Sequence, residues 1–376
     1  MRVLLLVLRR AAAVTLVCLA IGATAQTPSA SVSSCADLWV EPNAGGFEQL
    51  MRRLKTTGRI MQITAHPDDE DGGGVTREAR GKGHSVLLMT LTRGEGGQNI
   101  KGAALLDELG LLRTLELLAA DRYYGAEQRF SRMADFGFSK SADETLRIWD
   151  REKALEDIVR VIRMWKPDVI AAGFSGTPRD GHGHHQASGI LAREAYDAAA
   201  DPNRFPEMIK QGLLPWQAKK FYVRQREGEP DVQFETTEND AALGMTYAEW
   251  GVRGLRMQES QGMEGVRFQA GTKRFARYKL VDSKVQQPAG VSDDFFGGID
   301  TSLVGLAALS KDTSARARLE AAQHEIDAAA TAGWEKRTEA GMALLRANLT
   351  LSGTLGDSPA LRTELDTERC QIQQAI

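Results

Sequence analysis

The residues that could carry out chemistry in this chain fall in two short stretches. The first, "AHPDDED" at residues 65–71, places one histidine and four acidic side chains directly after an apolar run. The second, "RDGHGHHQ" at 179–186, contains three of the six histidines of the chain, His182, His184 and His185. Two imidazoles and one carboxylate are a ligand set for catalytic zinc that leaves a position open for water. A further carboxylate beside them can act as general base toward that water.

The crowding of carboxylates in the first stretch has a physical explanation if a metal is present. Like charges repel, but a divalent cation against Asp69 and near Asp68 relieves the repulsion. Glu70 and Asp71 are predicted to begin the next helix, where the positive helix end favours acidic side chains.

The second stretch has the spacing H-x-x-H. His182 and His185 are three residues apart and are predicted to share one face of a helical turn, whereas His184 points elsewhere. A single histidine of this kind is more simply a surface or core residue. Scarce histidines that gather with carboxylates at strand ends favour a metal site.

Three apolar runs, at 60–65, 85–92 and 168–173, predict strands that position these stretches. The second run is continuous instead of alternating, which is typical of a strand covered on both faces. Between the runs, leucines at positions 105, 109, 112, 115 and 118 predict an amphipathic helix over 103–121.

Strands that alternate with helices predict an α/β fold with a Rossmann-like open, mostly parallel sheet and helices on both faces. Ligands of such sheets bind outside the carboxyl ends of the strands, which is where both stretches lie. Ala, Leu, Glu and Arg at helical spacing predict a helical C-terminal extension at 301–376. The domain proper is predicted at 47–300, after a Ser, Pro and Gly-rich arm at 26–46.

Residues 1–25 have the pattern of a secretory signal. Three arginines precede the apolar run "AAAVTLVCLAIGA", and Ala23 and Ala25 match the small-x-small cleavage pattern. We therefore expect an exported protein, periplasmic or secreted, with no stable membrane insertion after cleavage. An uncleaved N-terminal anchor is the alternative.

The composition is typical of a globular protein that does not bind nucleic acid. The 376 residues include 42% apolar and 26% charged residues, as in ordinary globular proteins. With 47 Lys and Arg against 50 Asp and Glu, the chain has no basic stripe, and we expect no nucleic-acid partner. Outside the signal segment only Cys35 and Cys370 remain, and sequence alone leaves their pairing open.

At the level of these motifs the chain resembles the PIG-L/LmbE-like family of zinc-dependent N-deacetylases, which act mostly on N-acetylglucosamine-containing substrates. The resemblance rests on "AHPDDE" at 65–70 together with the later H-x-x-H. It extends through "TLTRGEGGQN" at 90–99, "LGLLRTLEL" at 109–117 and "SQG" at 260–262, and so covers roughly residues 57–265.

The resemblance implies a role for each matching residue. His66, Asp69 and His185 would be the ligands of Zn²⁺ or of another divalent metal. Asp68 would be the general base, and His182 would stabilise the oxyanion or protonate the leaving amine.

Substrate contacts follow from the same resemblance. Arg113 matches an arginine that contacts the sugar, and Asp135 loosely matches an aspartate with the same task. Glu95 is a weaker match, as a further substrate contact or a support for the site. The chain departs from the family at Asp180, where some relatives have tyrosine, and at His184, which replaces a common acidic residue.

The implied reaction is hydrolysis of an acetamide on a small-molecule or glycan substrate, with release of acetate and a free amine. Two alternatives stay open: a zinc amidase that acts on a non-sugar N-acyl amine, and a metal-binding or sugar-binding module without catalysis. The presence of Asp68 beside a complete ligand set favours an enzyme. Homo-oligomerisation is also left open.

Overall fold

The computed structural model describes residues 38–287, 289–357 and 361–376. The expected signal segment, most of the arm and Cys35 lie outside these residues. Cys370 is disulfide-bonded.

A seven-stranded mixed sheet forms the centre of the fold. The described residues contain nine strands, seven of which belong to this sheet. In chain order the nine are β1 (Arg59–Thr64), β2 (Ser85–Thr90), β3 (Glu127–Phe130), β4 (Val169–Ala172), β5 (Lys220–Arg224), β6 (Val232–Glu235), β7 (Asn239–Asp240), β8 (Met245–Thr246) and β9 (Phe275–Ser283). The sheet order is β3-β2-β1-β4-β5-β9-β6, and β7 and β8 form a separate pair. The first five strands are parallel, whereas β9 is antiparallel to β5 and β6.

Eleven α-helices are described. They are α1 (Ala44–Arg53), α2 (Gly72–Thr76), α3 (Asp107–Tyr124), α4 (Ala142–Trp149), α5 (Arg151–Trp165), α6 (Gly183–Ala198), α7 (Pro206–Lys210), α8 (Tyr247–Leu255), α9 (Ala315–Ala332), α10 (Arg337–Asp357) and α11 (Arg362–Ala375). A π-helical turn, Arg77–Gly81, continues α2. None of the helices in the described residues has both the length and the apolar character of a transmembrane span.

The sheet is covered on both faces, as its strand composition predicts. All six residues of β1 are buried, and successive side chains point to opposite faces. Met61 therefore packs in a cluster with Leu155 of α5, while Ile60 packs in another with Val75 of α2 and Leu117 of α3. The predicted α/β fold with a mostly parallel sheet and helices on both faces is confirmed.

The predicted apolar face of α3 is wrong. Leu115 and Leu118 are 58% and 43% exposed, and Leu105 precedes the helix. The buried face instead carries Arg113 and Glu116 among its apolar residues. Leucines occur on every side of this helix, so their spacing does not single out one face, and polar contacts at the site decide its orientation.

The C-terminal helices pack on α1. Leu319, Leu344 and Leu365, one from each of α9, α10 and α11, lie in one apolar cluster with Leu50 and Met51 of α1. The predicted helical C-terminal extension is confirmed.

Polar contacts join the same extension to the amino end of the sheet. Arg59 Nη2 donates to Thr367 Oγ1 at 3.1 Å, and Lys166 Nζ lies 3.2 Å from Glu364 Oε1. Arg59 begins β1, so the extension lies at the edge of the sheet opposite to the carboxyl ends of the parallel strands.

Candidate active site

Both chemistry-bearing stretches lie at the carboxyl edge of the sheet, at its topological switch point. β1 ends at Thr64 and leads into the loop 65–71, while β4 ends at Ala172 and leads to α6. These two strands are neighbours, and the strand order runs in opposite directions on either side of them. A crevice outside this point is the usual ligand site of open α/β sheets, as the sequence predicts.

Asp69 lies between two imidazoles. Its Oδ2 is 3.2 Å from His66 Nδ1, and its Oδ1 is 3.4 Å from His185 Nε2. One ligand atom from each of these three residues lies within 4.8 Å of the other two. Two neutral nitrogens and a carboxylate form a donor set that fits a divalent cation such as zinc.

The protonation states of Asp69 and His185 suit metal binding. Burial alone would raise the pKa of Asp69, but the hydrogen bond from His66, its charge and that of His185 outweigh burial and hold this pKa below its ordinary value. Burial lowers the pKa of His185. Deprotonated carboxylate and neutral imidazole are the forms that bind metals. Burial alone would lower the pKa of His66, but the hydrogen bond to Asp69 and the charge of Asp69 outweigh burial and raise it, so a cation would have to displace a proton from this ring.

A second group of three histidines shares His66. Ligand atoms of His66, His182 and His184 also lie within 4.8 Å of one another. Three imidazoles carry no negative charge, whereas the group that contains Asp69 partly neutralises a dication. The donor set with Asp69 is therefore the better fit.

Asp68 is held beside this group by its backbone and by Arg113. Its φ of +88° lies in the left-handed region, which non-glycine residues rarely adopt. Its N–H donates to Glu70 Oε2 at 2.9 Å, and its Oδ2 accepts from Arg113 Nη2 at 3.1 Å. Burial, with the charge of Asp69, raises the pKa of Asp68 to about 7, although Arg113 opposes the shift. A carboxyl group with this pKa can accept a proton near neutral pH.

Arg113 connects the loops after β1 and β2. From the buried face of α3 its guanidinium donates to Pro67 O at 2.8 Å and to Gly94 O at 3.2 Å, in addition to Asp68. The side chain is only 4% exposed. Its sugar-contacting role stays a prediction, while its contacts show that it positions Asp68.

His182 is the N-cap of α6. Its Nδ1 accepts from His184 N at 3.0 Å, so in the neutral ring the proton is on Nε2. Burial, followed by the charges of His66 and His185, lowers the pKa of His182 to about 4. The ring packs edge-on against Phe138, with centroids 5.1 Å apart. A neutral imidazole with a free Nε2–H can donate a hydrogen bond to a developing oxyanion.

The predicted orientation of His184 is wrong. This residue is fully buried, and its Nδ1 lies 2.9 Å from His66 Nε2. Because His182 precedes the first helical residue of α6, the H-x-x-H spacing does not describe one helical face. Burial and the neighbouring histidines lower the pKa of His184 to about 2, so its ring is neutral.

Asp135 lies in the same cluster, and Glu95 lies on a neighbouring loop. Asp135 Oδ1 is 3.7 Å from His184 Nδ1 and accepts from Gly137 N at 2.8 Å. Glu95 Oε2 accepts from Arg93 N at 3.1 Å on the loop that follows β2. Among the described residues, no hydrogen bond or ion pair joins Glu95 to the metal-ligand group. The substrate-contacting roles of Asp135 and Glu95 stay predictions.

The sequence predicts both Glu70 and Asp71 at the start of the helix after β1, but only Asp71 lies there. Asp71 is the N-cap of α2, with its Oδ1 accepting from Gly74 N, as expected for an acid at a helix start. Glu70 instead accepts from Tyr124 Oη at 3.0 Å and from Gln258 Nε2 at 3.1 Å, in addition to Asp68 N. These partners are 54 and 188 residues away, so no local sequence signal reveals this support of the Asp68 loop.

Comparison with known proteins finds one matching family model and several proteins of similar sequence. Residues 61–196 match the family model described as PIG-L: GlcNAc-PI de-N-acetylase. The mycothiol S-conjugate amidase of Streptomyces coelicolor is 27% identical over 208 residues, which are 51% of this chain and 69% of the relative. A 1D-myo-inositol 2-acetamido-2-deoxy-alpha-D-glucopyranoside deacetylase of Geodermatophilus obscurus is 32% identical over 181 residues, 44% of this chain and 60% of the relative.

A third relative and a solved structure are each similar to part of this chain. The diacetylchitobiose deacetylase of Thermococcus kodakarensis is 30% identical over 168 residues, 44% of this chain and 59% of the relative. The N,N'-diacetylchitobiose deacetylase from Pyrococcus horikoshii superimposes with a TM-score of 0.44 at 17% identity, over 59% of this chain and 83% of that chain. The alignments thus leave about a third or more of each curated relative unmatched.

Proposed function

Since residues 61–196 belong to the PIG-L family, we propose that this chain is a zinc-dependent hydrolase that removes the acetyl group from an N-acetylated sugar of the N-acetylglucosamine type. The observation that carries the proposal is the placement of Asp69 between His66 and His185, with Asp68 held beside it by Arg113.

The donor set defines where the metal would bind. His66, Asp69 and His185 would hold Zn²⁺ or another divalent ion, which when bound supplies Lewis acidity toward the amide carbonyl and the attacking water. Proton transfer and stabilisation of the oxyanion would be carried out by Asp68 and His182.

Asp68 is placed to act as the general base. It accepts the proton of the attacking water and can pass that proton to the nitrogen of the leaving amine. Arg113 keeps the carboxylate oriented while it is ionised. Both of its other contacts are backbone carbonyls, so the guanidinium stays fixed when the charge on Asp68 changes.

His182 is placed to stabilise the tetrahedral intermediate. Because its Nδ1 is occupied by the N–H of His184, its Nε2–H is free to donate to the oxyanion. The low pKa of this imidazole keeps it neutral at physiological pH, so it acts by hydrogen bonding instead of by charge.

The choice of substrate class is supported by the relatives. Two of the three relatives named above are deacetylases of compounds that contain acetylated glucosamine. The third is named as an amidase of a mycothiol S-conjugate, which supports testing amides other than acetylated sugars.

We also propose that the domain functions outside the cytoplasm. The arginines and the apolar run before Ala23 support export, and the disulfide at Cys370 suits an oxidising compartment. Fractionation of cells that express the full chain should place the protein outside the cytoplasm, and a wholly cytoplasmic protein would refute export.

Acetate release over a panel of substrates tests the proposed function. The zinc-loaded protein is assayed with N-acetylglucosamine, diacetylchitobiose and an N-acetylglucosaminyl inositol, and in parallel with N-acetylated amino acids and an N-acetylcysteine conjugate. We expect the sugars to have the higher kcat/KM. Turnover of the non-sugar amides alone would favour the amidase, and no turnover of any acetamide by zinc-loaded protein would contradict the proposed deacetylase.

A further inference from the structure

The outer face of α3 presents a stripe of leucines with a charge at each end. Asp107, Leu111, Leu115, Leu118 and Arg122 recur at spacings of four, four, three and four, which places them on one face of the helix. All five are exposed, and the leucines are 58%, 58% and 43% exposed in chain order. This stripe lies opposite the buried face that carries the site residues of α3.

The apolar surface extends beyond the helix. Leu105 and Leu106, just before α3, are 62% and 70% exposed. Leu106 has a φ of +52°, so a bulky residue adopts an unfavourable backbone conformation while its side chain remains in solvent. Isolated exposed leucines are ordinary, but five exposed leucines between positions 105 and 118 indicate an interaction surface.

The spacing of the stripe indicates which kind of partner it fits. Leucines separated by four and three residues have the spacing of the apolar seam between two packed helices. We propose that this stripe packs antiparallel against the same stripe of a second copy of the chain, forming a two-fold symmetric dimer. Leu111 of one copy then faces Leu118 of the other, and Leu115 lies near the axis.

The charges at the ends of the stripe are complementary in this arrangement. Asp107 at the start of α3 faces Arg122 at the end of the second copy's α3, and the symmetry repeats the pair. Among the described residues, neither side chain takes part in an ion pair. An antiparallel pair also brings the positive end of each helix next to the negative end of the other. An isologous interface requires this kind of self-complementarity.

Other occupants fit the surface less well. A membrane surface is usually anionic, and the exposed Asp107 and Glu108 would repel it at one end of the stripe. Most apolar residues of the C-terminal extension are buried in one cluster with α1. Met342, Leu345 and Leu349 of α10 are 53%, 42% and 71% exposed, and substitution of Leu349 distinguishes that surface from the stripe on α3.

The oligomeric state of the purified full chain tests the dimer. Sedimentation equilibrium at micromolar concentrations should give twice the mass of one chain. Leu115→Lys should weaken the dimer by about tenfold or more, because it places a charge in the apolar centre of the interface. Leu349→Lys is the matched control, since Leu349 of α10 is 71% exposed and lies outside the stripe, and it should leave the dimer unchanged.

Charge reversal gives a second test that does not depend on the core of the stripe. Asp107→Arg or Arg122→Asp alone should weaken the dimer, and the two together in one chain should restore it. A parent protein that is monomeric at all these concentrations would overturn the proposal, whether or not it binds lipid vesicles. A dimer that both Leu115→Lys and the single reversals leave intact would also overturn it.

Discussion

Asp68 and Asp69 are neighbours in the chain, but the backbone turns their side chains to different partners. Asp69 faces His66 and His185, whereas Asp68, at a positive φ, faces Arg113. Each carboxylate therefore has its own cationic or metal-binding partners, although the charge of Asp69 still contributes to the raised pKa of Asp68. This separation is what allows one carboxylate to bind metal and the other to accept a proton.

The first prediction concerns the positioning of Asp68 by Arg113. Arg113→Lys should lower kcat for acetate release by about tenfold or more, because one ammonium cannot replace the donors that join Pro67, Gly94 and Asp68. Metal content should be unchanged, because no hydrogen bond or ion pair among the described residues joins Arg113 to the three proposed ligands. The readouts are steady-state kinetics and elemental analysis of the same sample.

Arg122→Lys on the outer face of the same helix is the matched control, and it should retain the parental kcat and metal content. An Arg113→Lys protein with parental kcat would show that the contacts of this guanidinium are structural only.

At the level of elements, the first turn of α6 positions the histidines of the second stretch. Gly183 N donates to Ser139 O at 2.9 Å, which docks this turn on the segment before α4. A Cβ at Gly183 would lie 2.4 Å from both Ser139 Oγ and the Ser141 carbonyl oxygen. The side chain of Ser139 can move, but the Ser141 carbonyl belongs to the backbone, so the turn itself must shift.

The second prediction follows from this close approach. Gly183→Ala should displace His182 and His185 and reduce zinc affinity by about tenfold or more, as supporting contacts of metal sites do when they are lost. Titration against a competing chelator measures this affinity. Gly341→Ala of α10 is the control, because a Cβ there meets nothing within 4 Å. Parental zinc affinity in Gly183→Ala would contradict the proposed docking of this turn.

The sequence predicts those features of the elements that depend on local patterns. The ends of β1 and β4 are readable because continuous apolar runs stop at polar residues, and the parallel sheet then brings both stretches to one edge. The buried face of α3 is not readable, because contacts of Arg113 and Glu116 with distant loops orient a helix that has leucines on all sides. The orientation of His184 depends on where α6 begins, and sequence spacing locates helix ends poorly.

At the scale of the whole molecule, the C-terminal extension brings a carboxyl group into a buried position at the amino end of the sheet. Glu368 of α11 is 3% exposed, and its Oε1 has no hydrogen-bond partner. It lines a cavity of about 20 Å³ together with Thr57 and Arg59. Burial raises the pKa of Glu368 to about 8, although Arg53 and Arg59 oppose the shift.

The third prediction is a pH dependence of stability caused by Glu368. Its folded-state pKa lies above the unfolded value of 4.5, so between these two values the folded chain keeps a proton that the unfolded chain releases. Stability should therefore fall as pH rises from about 5 to about 8. Glu368→Gln should remove about 3 to 4 kcal/mol of this decrease.

Urea unfolding at several pH values measures the effect. Glu339→Gln, an exposed position on α10, is the control and should keep the pH dependence of the parent. A difference between the parent and Glu368→Gln that stays constant from pH 5 to pH 8 would show that Glu368 does not titrate in this range.

The division of roles between Asp68 and Asp69 is tested most directly by measuring zinc content and acetate release on the same preparations of the parent, Asp68→Asn and Asp69→Ala. We predict that Asp68→Asn keeps about one equivalent of zinc but releases acetate at about 1% of the parental rate or less. Asp69→Ala should lose both zinc and activity. Full zinc content and activity in Asp69→Ala, or parental turnover in Asp68→Asn, would contradict the proposed site.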